Sequence, residues 1–346
     1  MLQPSNISAI VKYWLNPRNP DLQKAIQQTI EEGLFSREDI EFQINVLRKN
    51  VDNGEIEEWA ERAGLSDQQH AHGKKVLCLH AGNLPLVGFQ TALGVILSGA
   101  DYFGKLSRKD PYLLGSFLKE IQQADLKQEI NYSTNLHDFQ NLQAESVVFA
   151  GSETSVPQVK QEINKFDAAQ ESAEYLIRTA KFSIAYLDTW NEEVKRNLVE
   201  AMLRYGGKGC RSVAVVLAEF GLGEIKEELR ASINKFWKDN PQHQKPAPAL
   251  KYQFAYNKGI QRNQLWLEDF LIQETEEFPE TDFTVNWVQG DQDQVRALRI
   301  KFGQVVQSVY TMGSEIDGLN TELLSTAQKP LLWWKPDGVD VVEELI

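Results

Sequence analysis

The sequence predicts an α/β fold with two parallel-sheet domains and a group of helices at the N-terminus. Its length of 346 residues corresponds to about two domains at roughly 150 residues each. Hydrophobic residues make up 42% and charged residues 25%, a composition typical of globular domains. From residue 75 onward, short apolar runs alternate with segments of helical periodicity, which indicates parallel strands joined by crossover helices.

The first seventy residues show helical periodicity. In the segment 21–33, Leu22 and Ile26 fall on one stripe. Ser36 has the position of an N-cap residue for the next helix, and Gly64 that of a C-cap for the third. We therefore predict helices across this region.

The first α/β block follows. Its predicted elements are a strand "KVLCLH", a helix 86–99, a strand "DYFGKL", a helix 112–122, a strand "SVVFAGS" and a helix 156–166, with a polar stretch over 125–144.

The second block repeats the alternation. Its predicted elements are a strand "FSIAYLD", a helix 190–204, a strand "SVAVVLAEF", a helix 223–239, a proline-containing linker 241–250, a helix 258–274, a strand "DFTVNWV", a helix 291–302 and a strand "VVQSVYT".

The C-terminal tail is apolar enough to need burial. Leu331, Leu332, Trp333 and Trp334 are costly to leave in water, so we expect the tail to pack back on the body. The expected organisation is N-terminal helices at 1–70 packing on the first α/β domain, that domain at 71–183, a second α/β domain at 184–320 and a C-terminal segment at 321–346.

The charge balance excludes some classes of partner. Lys+Arg of 36 against Asp+Glu of 49 gives a net charge of −13, which argues against nucleic acid and anionic membrane surfaces. Neither a secretory leader nor an uninterrupted apolar run of about 18 residues is recognisable, so we expect a cytoplasmic protein without membrane insertion. Cys78 and Cys210 are then expected to be reduced. No Cys/His cluster has zinc spacing, and we predict no metal site.

The stretch "HAGNLPLVGF" (80–89) lies between a predicted strand and a predicted helix. The backbone N–H groups of a helix start, together with the Asn83 side-chain amide, could hold a carbonyl oxygen or an oxyanion. Asn83 and Pro85 could equally do no more than shape the turn.

The stretch "FGKLSRKDP" (103–111) places Lys105, Arg108 and Lys109 at the end of the second strand. Ligands of open α/β sheets bind at the carboxyl ends of strands, so these cations are well placed for a phosphate group. The alternative is a solvated basic turn.

The stretch "VVFAGSETSV" (147–156) is a strand, a Gly-Ser turn and a helix. Such a turn lets a pyrophosphate approach the backbone at a helix N-terminus, although most Gly-Ser turns bind nothing.

The stretch "GGKGC" (206–210) puts a thiol after three glycines and before an apolar strand. Glycines expose the sulfur to water and to backbone N–H groups, and the neighbouring Lys208 and Arg211 favour a thiolate. Cys78, inside "VLCLH", is better explained as a small buried apolar residue.

These four motifs, in this order, resemble the aldehyde dehydrogenase superfamily, and within it the acyl-CoA reductase (LuxC-type) branch. The resemblance runs from about residue 75 to the C-terminus. It implies two parallel-sheet domains, a Rossmann-like NAD(P)-binding domain at 71–183 and a catalytic domain with the cysteine nucleophile at 184–320. It also implies that Cys210 is the nucleophile, that Asn83 donates to the oxyanion, that Lys105 contacts the adenosine ribose, and that Gly151 and Ser152 lie beside the pyrophosphate.

Departures from the superfamily pattern refine this expectation. Hydrolytic aldehyde dehydrogenases carry a water-activating glutamate ahead of the cysteine, whereas "RTAKFSIAYLDTW" has no glutamate before Asp188. An enzyme that reduces a thioester needs no such base. Ser107 and Arg108 replace the acid that many NAD-preferring members have near the ribose, which favours NADPH over NADH. The glutamate that holds the nicotinamide ribose has no clear counterpart, and Glu276 and Glu277 are poor candidates.

The resemblance implies NADPH-dependent reduction of an acyl-CoA or acyl-protein thioester to an aldehyde, by a homo-oligomer. Two alternatives stay open. One is a reductase of acyl phosphates or short aldehydes on the same fold. The other is an acyl-carrying or interaction protein that has lost hydride transfer.

Overall fold

A computed structural model describes residues 3–65, 71–124, 126–279 and 282–346. The chain forms two compact units. The first comprises Met1–Thr179 with Leu331–Ile346, and the second comprises Ala180–Pro330.

The first unit is built on a parallel sheet of five strands in the order β3-β2-β1-β4-β5. The strands are β1 (Lys75–Leu79), β2 (Asp101–Lys105), β3 (Ile130–Ser133), β4 (Ala144–Gly151) and β5 (Ala169–Thr179). The order reverses between β1 and β4, and a crevice for ligands forms at the carboxyl ends of strands at such a switch point.

Helices cover both faces of this sheet, so the core strands are apolar on both sides. The helices are α1 (Pro4–Trp14), α2 (Pro20–Glu31), α3 (Arg37–Asp52), α4 (Glu55–Arg62), α5 (Phe89–Ser98), α6 (Leu113–Gln123) and α7 (Val156–Lys165), with α12 (Val341–Leu345) from the C-terminal segment.

The N-terminal helices share one apolar core with the sheet. Trp14 of α1 is fully buried and stacks on Phe89 of α5, with ring centroids 5.5 Å apart. Its indole N–H donates to Ser116 Oγ of α6 at 2.9 Å. The Ser36 hydroxyl accepts the N–H of Asp39 at 3.1 Å, which confirms the predicted N-cap.

The C-terminal segment packs on α4 and α5. Asp340 accepts a hydrogen bond from the Trp59 indole at 2.9 Å, and its neighbour Val341 lies against Gly94 of α5. Leu332 is buried, whereas Leu331 is 47% exposed. The segment 331–346 therefore packs on the first unit, but not through all four of the apolar residues named from the sequence.

The second unit has a sheet of seven strands in the order β12-β11-β6-β7-β10-β9-β8, parallel except for the β8–β9 pair. The strands are β6 (Phe182–Leu187), β7 (Val213–Ala218), β8 (Gln264–Trp266), β9 (Leu271–Glu274), β10 (Thr284–Gln289), β11 (Val306–Thr311) and β12 (Thr321–Leu323). The helices are α8 (Glu192–Leu203), α9 (Leu222–Asp239), α10 (Ala249–Gly259) and α11 (Gln292–Phe302).

The structure corrects several predicted elements. The helix predicted over 258–274 is wrong: α10 ends at Gly259, and two short strands, β8 and β9, follow and pair with each other. The polar stretch 125–144 contains β3, and β5 was not predicted at all. Both strands gain their stability from a neighbouring strand, which local composition does not reveal.

The helix predicted from residue 86 begins only at Phe89. Leu86 has a φ of 58°, in the left-handed region that an α-helix of L-residues excludes. The helix start is therefore not adjacent to Asn83, as the sequence interpretation assumed.

Candidate active site

The carboxyl edge of the five-stranded sheet carries the predicted cofactor residues. Asn83 lies in the turn after β1 and is exposed, and Lys105 is the last residue of β2. Gly151 ends β4 and Ser152 follows it. Since parallel strands β2, β1 and β4 are adjacent, one sheet edge gathers residues that are far apart in sequence.

A cavity of about 330 Å³ opens beside Lys105. Burial and the neighbouring Arg108 both lower the pKa of Lys105, because each disfavours its charged form. The cavity is lined by Lys105, Arg108, Thr134, Asn135, Leu136, Glu162, Lys165 and Phe166. Three cations against one carboxylate make this a site suited to an anionic ligand.

One strand beside this cavity was not expected, whereas the helix that contributes Lys165 was predicted over 156–166. Thr134 and Asn135 follow β3, a strand that the sequence interpretation missed, and Lys165 ends α7. The only available signal was the short alternation of Ile130 and Tyr132 within a polar stretch.

Ser107 serves the turn in which it lies. Its hydroxyl accepts the N–H of Lys109 at 3.2 Å, and its carbonyl accepts the N–H of Asp110 at 3.1 Å. A Cβ at Gly82 would collide with the Ser107 hydroxyl. The turn after β1 thus needs a glycine at 82 so that the turn after β2 can lie against it.

The Gly-Ser turn lies at the carboxyl end of β4. A Cβ at Gly151 would lie 2.5 Å from the Phe149 ring, so only glycine leaves the backbone in this position. The Ser152 hydroxyl is 3.0 Å from that of Ser155, whose own hydroxyl donates to the Ser152 carbonyl at 2.7 Å. The turn is exposed and leads into α7.

Cys210 belongs to the second unit, where it precedes β7, a strand in the middle of the seven-stranded sheet. It is half-buried, whereas Cys78 is fully buried in the core of the first unit. Burial strongly raises the pKa of the Cys78 thiol, which keeps that sulfur protonated. The two thiols therefore differ in the way that the sequence suggested.

We call residues 204–212 the elbow. Tyr205, Gly206 and Gly207 all have left-handed φ values, of 57°, 68° and 73°. A Cβ at Gly207 would lie 2.7 Å from the Met202 carbonyl oxygen. Three left-handed residues in succession turn the chain sharply out of α8, which is why glycines precede Cys210.

Hydrogen bonds and ion pairs fix the elbow. The Ser183 hydroxyl donates to the Cys210 carbonyl at 2.9 Å. Arg211 is buried and donates to the Ala327 carbonyl at 2.8 Å and to Glu322 at 2.9 Å. Lys208 lies 3.6 Å from Asp282. Both cations thus have structural partners, whereas the sequence interpretation gave them the role of favouring a thiolate.

The three carboxylates that the sequence interpretation considered lie at the other edge of the second unit's sheet. Asp188 follows the carboxyl end of β6, and Glu276 and Glu277 follow that of β9, whereas Cys210 precedes the amino end of β7. A strand of six residues spans roughly 20 Å. Asp188 is therefore not placed to activate water at Cys210.

Among the residues that the structure describes, no group of three or more His, Cys, Asp or Glu side chains is arranged to hold a metal ion. No helix in those ranges is long and apolar enough to cross a bilayer.

Comparison with solved structures defines the class. The chain is similar to aldehyde dehydrogenase 21 from Physcomitrella patens (10% identity, 90% of this chain and 73% of that one, TM-score 0.58). It is similar to an NAD-dependent aldehyde dehydrogenase from Sinorhizobium meliloti (12% identity, 95% and 72%, TM-score 0.61) and to an NADP-dependent enzyme from E. coli (11% identity, 91% and 74%, TM-score 0.62). The protein has the aldehyde dehydrogenase fold.

The family follows from the sequence. The model of the family described as Acyl-CoA reductase (LuxC) matches residues 18–309, and the chain belongs to this family. No curated protein matches the sequence. Membership supports an oxidoreductase that acts on an aldehyde or acyl group.

Proposed function

We propose that the protein reduces an acyl thioester, carried by CoA or by a protein, to the aldehyde, through an acyl group held on Cys210. The observation that carries this proposal is a half-buried thiol on a glycine elbow in a member of the acyl-CoA reductase family. The reaction consumes one thioester, one NADPH and one proton, and yields the aldehyde, the free carrier thiol and NADP⁺.

Acyl transfer to the protein is the first step. The Cys210 thiolate attacks the thioester carbonyl, and the carrier thiolate leaves, so that one thioester replaces another. The Asn83 amide donates to the oxyanion that develops, together with a backbone N–H at Cys210. Donors of this kind are worth about 3 to 4 kcal/mol each in acyl-transfer sites.

The first unit fits a nicotinamide dinucleotide. Lys105 and Arg108 line a cavity with a surplus of cations, and the backbone at Gly151 can be approached closely because no Cβ is present. Lys105 and Ser107 would hold the adenosine ribose, Arg108 the 2′-phosphate, and Gly151 with Ser152 the pyrophosphate. When bound, NADPH supplies the hydride that reduces the acyl carbon. The hemithioacetal on Cys210 then collapses, which frees the aldehyde and restores the thiolate.

Intact-mass spectrometry after incubation with an acyl-CoA tests the acyl-cysteine. We expect the protein mass to rise by one acyl group, and this adduct to disappear when NADPH is added. Cys210→Ala should show no adduct, whereas Cys78→Ala should keep it, because the Cys78 thiol is buried and protonated. An adduct that persists in Cys210→Ala would place the nucleophile elsewhere.

The main alternative is an acyl-carrying protein without hydride transfer. Glu276 and Glu277 follow β9 in the second unit, and the sequence offers no clear counterpart of the glutamate that holds the nicotinamide ribose. Acylation of Cys210 without NADPH binding at millimolar concentration would favour this alternative.

A further inference from the structure

Two turns of the first unit interlock at the carboxyl edge of its sheet. We call residues 80–88 the β1 turn and residues 106–112 the β2 turn. The His80 N–H donates to the Lys105 carbonyl at 3.0 Å, and Gly82 leaves the space that the Ser107 side chain enters. Asn83 lies in the first turn, while the second contains Ser107 and Arg108.

A buried carboxylate joins these turns. Asp110 is 3% exposed, and its Oδ2 accepts the N–H of Leu86 at 2.8 Å. Leu86 is itself 2% exposed and has a φ of 58°. A left-handed non-glycine residue costs about 1 to 3 kcal/mol and persists only where its surroundings enforce it.

Further amides face the same carboxylate. Hydrogen bonding from the backbones of Leu86, Leu113 and Leu114 lowers the pKa of Asp110, although burial has the larger effect and raises it to about 7. Leu113 and Leu114 begin α6, so Asp110 also lies at a helix N-terminus, where the dipole favours an anion. These backbone N–H groups are donors, so a side-chain oxygen that accepts hydrogen bonds suits this position.

We propose that Asp110 is a positioning residue for the reduction. It holds the β1 turn, which contains Asn83, against the β2 turn, which contains Arg108, without touching substrate or cofactor. This inference rests on the function proposed above. Asn83 precedes Leu86 by three residues, so a shift of Leu86 moves the amide that donates to the oxyanion. A displacement of about 1 Å in such a group can lower the rate by roughly a hundredfold.

A double-mutant cycle tests this inference. Asp110→Asn keeps the shape of the side chain but turns donors toward the α6 amides. We expect it to slow single-turnover acylation of Cys210 by about 10- to 100-fold and to weaken NADPH binding. In the Asn83→Ala background the same change should alter the acylation rate by less than about twofold, because Asp110 acts through Asn83.

Asp101→Asn is the matched control. Asp101 Oδ1 also accepts a backbone N–H, that of Glu129 at 2.8 Å, but at the amino end of β2. This variant should acylate at the wild-type rate. Equal losses of acylation rate in Asp110→Asn and Asp101→Asn would overturn the proposal. It would also be overturned if the loss of rate in the Asp110→Asn/Asn83→Ala protein equalled the product of the losses in the two single variants.

Asp110→Ser is made in parallel, because its hydroxyl oxygen can still accept a hydrogen bond although the side chain is shorter. If neither Asp110 variant folds, the carboxylate is required for the fold itself and the positioning role is overturned. Wild-type protein and Cys210→Ala are measured first. A wild-type protein without a Cys210-dependent adduct contradicts the proposed function, whereas a normal wild-type adduct with multiplying losses contradicts only the role of Asp110.

Discussion

Arg108 and Lys109 are adjacent exposed cations with different surroundings, because Arg108 lines the cavity beside Lys105 and Lys109 is not among the residues that line it. We therefore predict that Arg108→Ala raises the Kd for NADPH by about 10- to 100-fold, the equivalent of a hydrogen bond to a charged group at about 1.5 to 3 kcal/mol. The Kd for NADH should stay nearly constant.

Fluorescence titration of both cofactors provides the measurement, and Lys109→Ala is the control with the same loss of charge. Equal weakening of NADPH and NADH by Arg108→Ala would show that the guanidinium does not read the 2′-phosphate.

His80 and Asp110 give the stability of the first unit two opposing pH dependences. Burial lowers the pKa of His80 to about 3 and raises that of Asp110 to about 7, from ordinary values of 6.5 and 3.8. Between pH 3.8 and 6.5 the unfolded chain binds the histidine proton, which favours folding as pH rises. In the same window the folded chain retains the Asp110 proton, which favours folding as pH falls.

These two effects oppose each other in the wild-type protein and separate in variants. Two groups face His80: the phenol of Tyr102, which lies 2.6 Å from His80 Nε2 and has a pKa well above its ordinary value, and the amine of Lys105. We predict that the free energy of unfolding of Asp110→Asn, measured with urea, rises with pH from 4 to 6.5, and that the free energy of unfolding of His80→Asn falls. Each should change by up to about 1.4 kcal/mol per pH unit. Slopes of the same sign in both variants would contradict the assigned protonation states.

The helices α5 and α6 each contain one glycine, but for different reasons. A Cβ at Gly94 of α5 would collide with Val341 and lie 3.0 Å from the Trp59 ring, whereas a Cβ at Gly115 of α6 would meet its nearest neighbours at 3.6 Å. We predict that Gly94→Ala lowers the melting temperature and exposes the C-terminal segment to protease. Gly115→Ala should raise the melting temperature slightly, since alanine favours a helix by about 1 kcal/mol.

Thermal unfolding and limited proteolysis measure both variants, and each serves as the control for the other. Equal protection of the C-terminal segment in the two proteins would show that Gly94 is not needed to dock it.

The first unit is assembled from both ends of the chain, so its stability depends on the last sixteen residues. Leu332, Val341, Val342 and Leu345 are buried, and full burial of such side chains contributes about 1.5 to 3 kcal/mol each. A chain that ends at Pro330 should therefore aggregate or lose NADPH binding, although it retains Cys210. Lys335→Ala, which removes only an exposed ion pair with Glu343, should behave as wild type. Calorimetry and NADPH titration distinguish these outcomes.

Local chemistry explains which expectations hold. The α/β class, the Ser36 N-cap, the contrast between Cys78 and Cys210 and the need for glycines in the elbow all follow from hydrophobic periodicity or from one residue's conformational freedom. Both properties act over a few neighbouring residues, and for that reason an amino-acid sequence reveals them directly.

Contacts between distant segments account for what was missed. β3, β5 and the β8–β9 pair form because a neighbouring strand supplies their hydrogen bonds, and Leu86 is left-handed where Asp110, twenty-four residues away, accepts its N–H. Strand order then decided that Asn83, Lys105 and Gly151 share one sheet edge, and that Asp188 and Cys210 lie at opposite edges of another. Such arrangements depend on which surfaces meet on folding, and no short stretch of the chain contains that information.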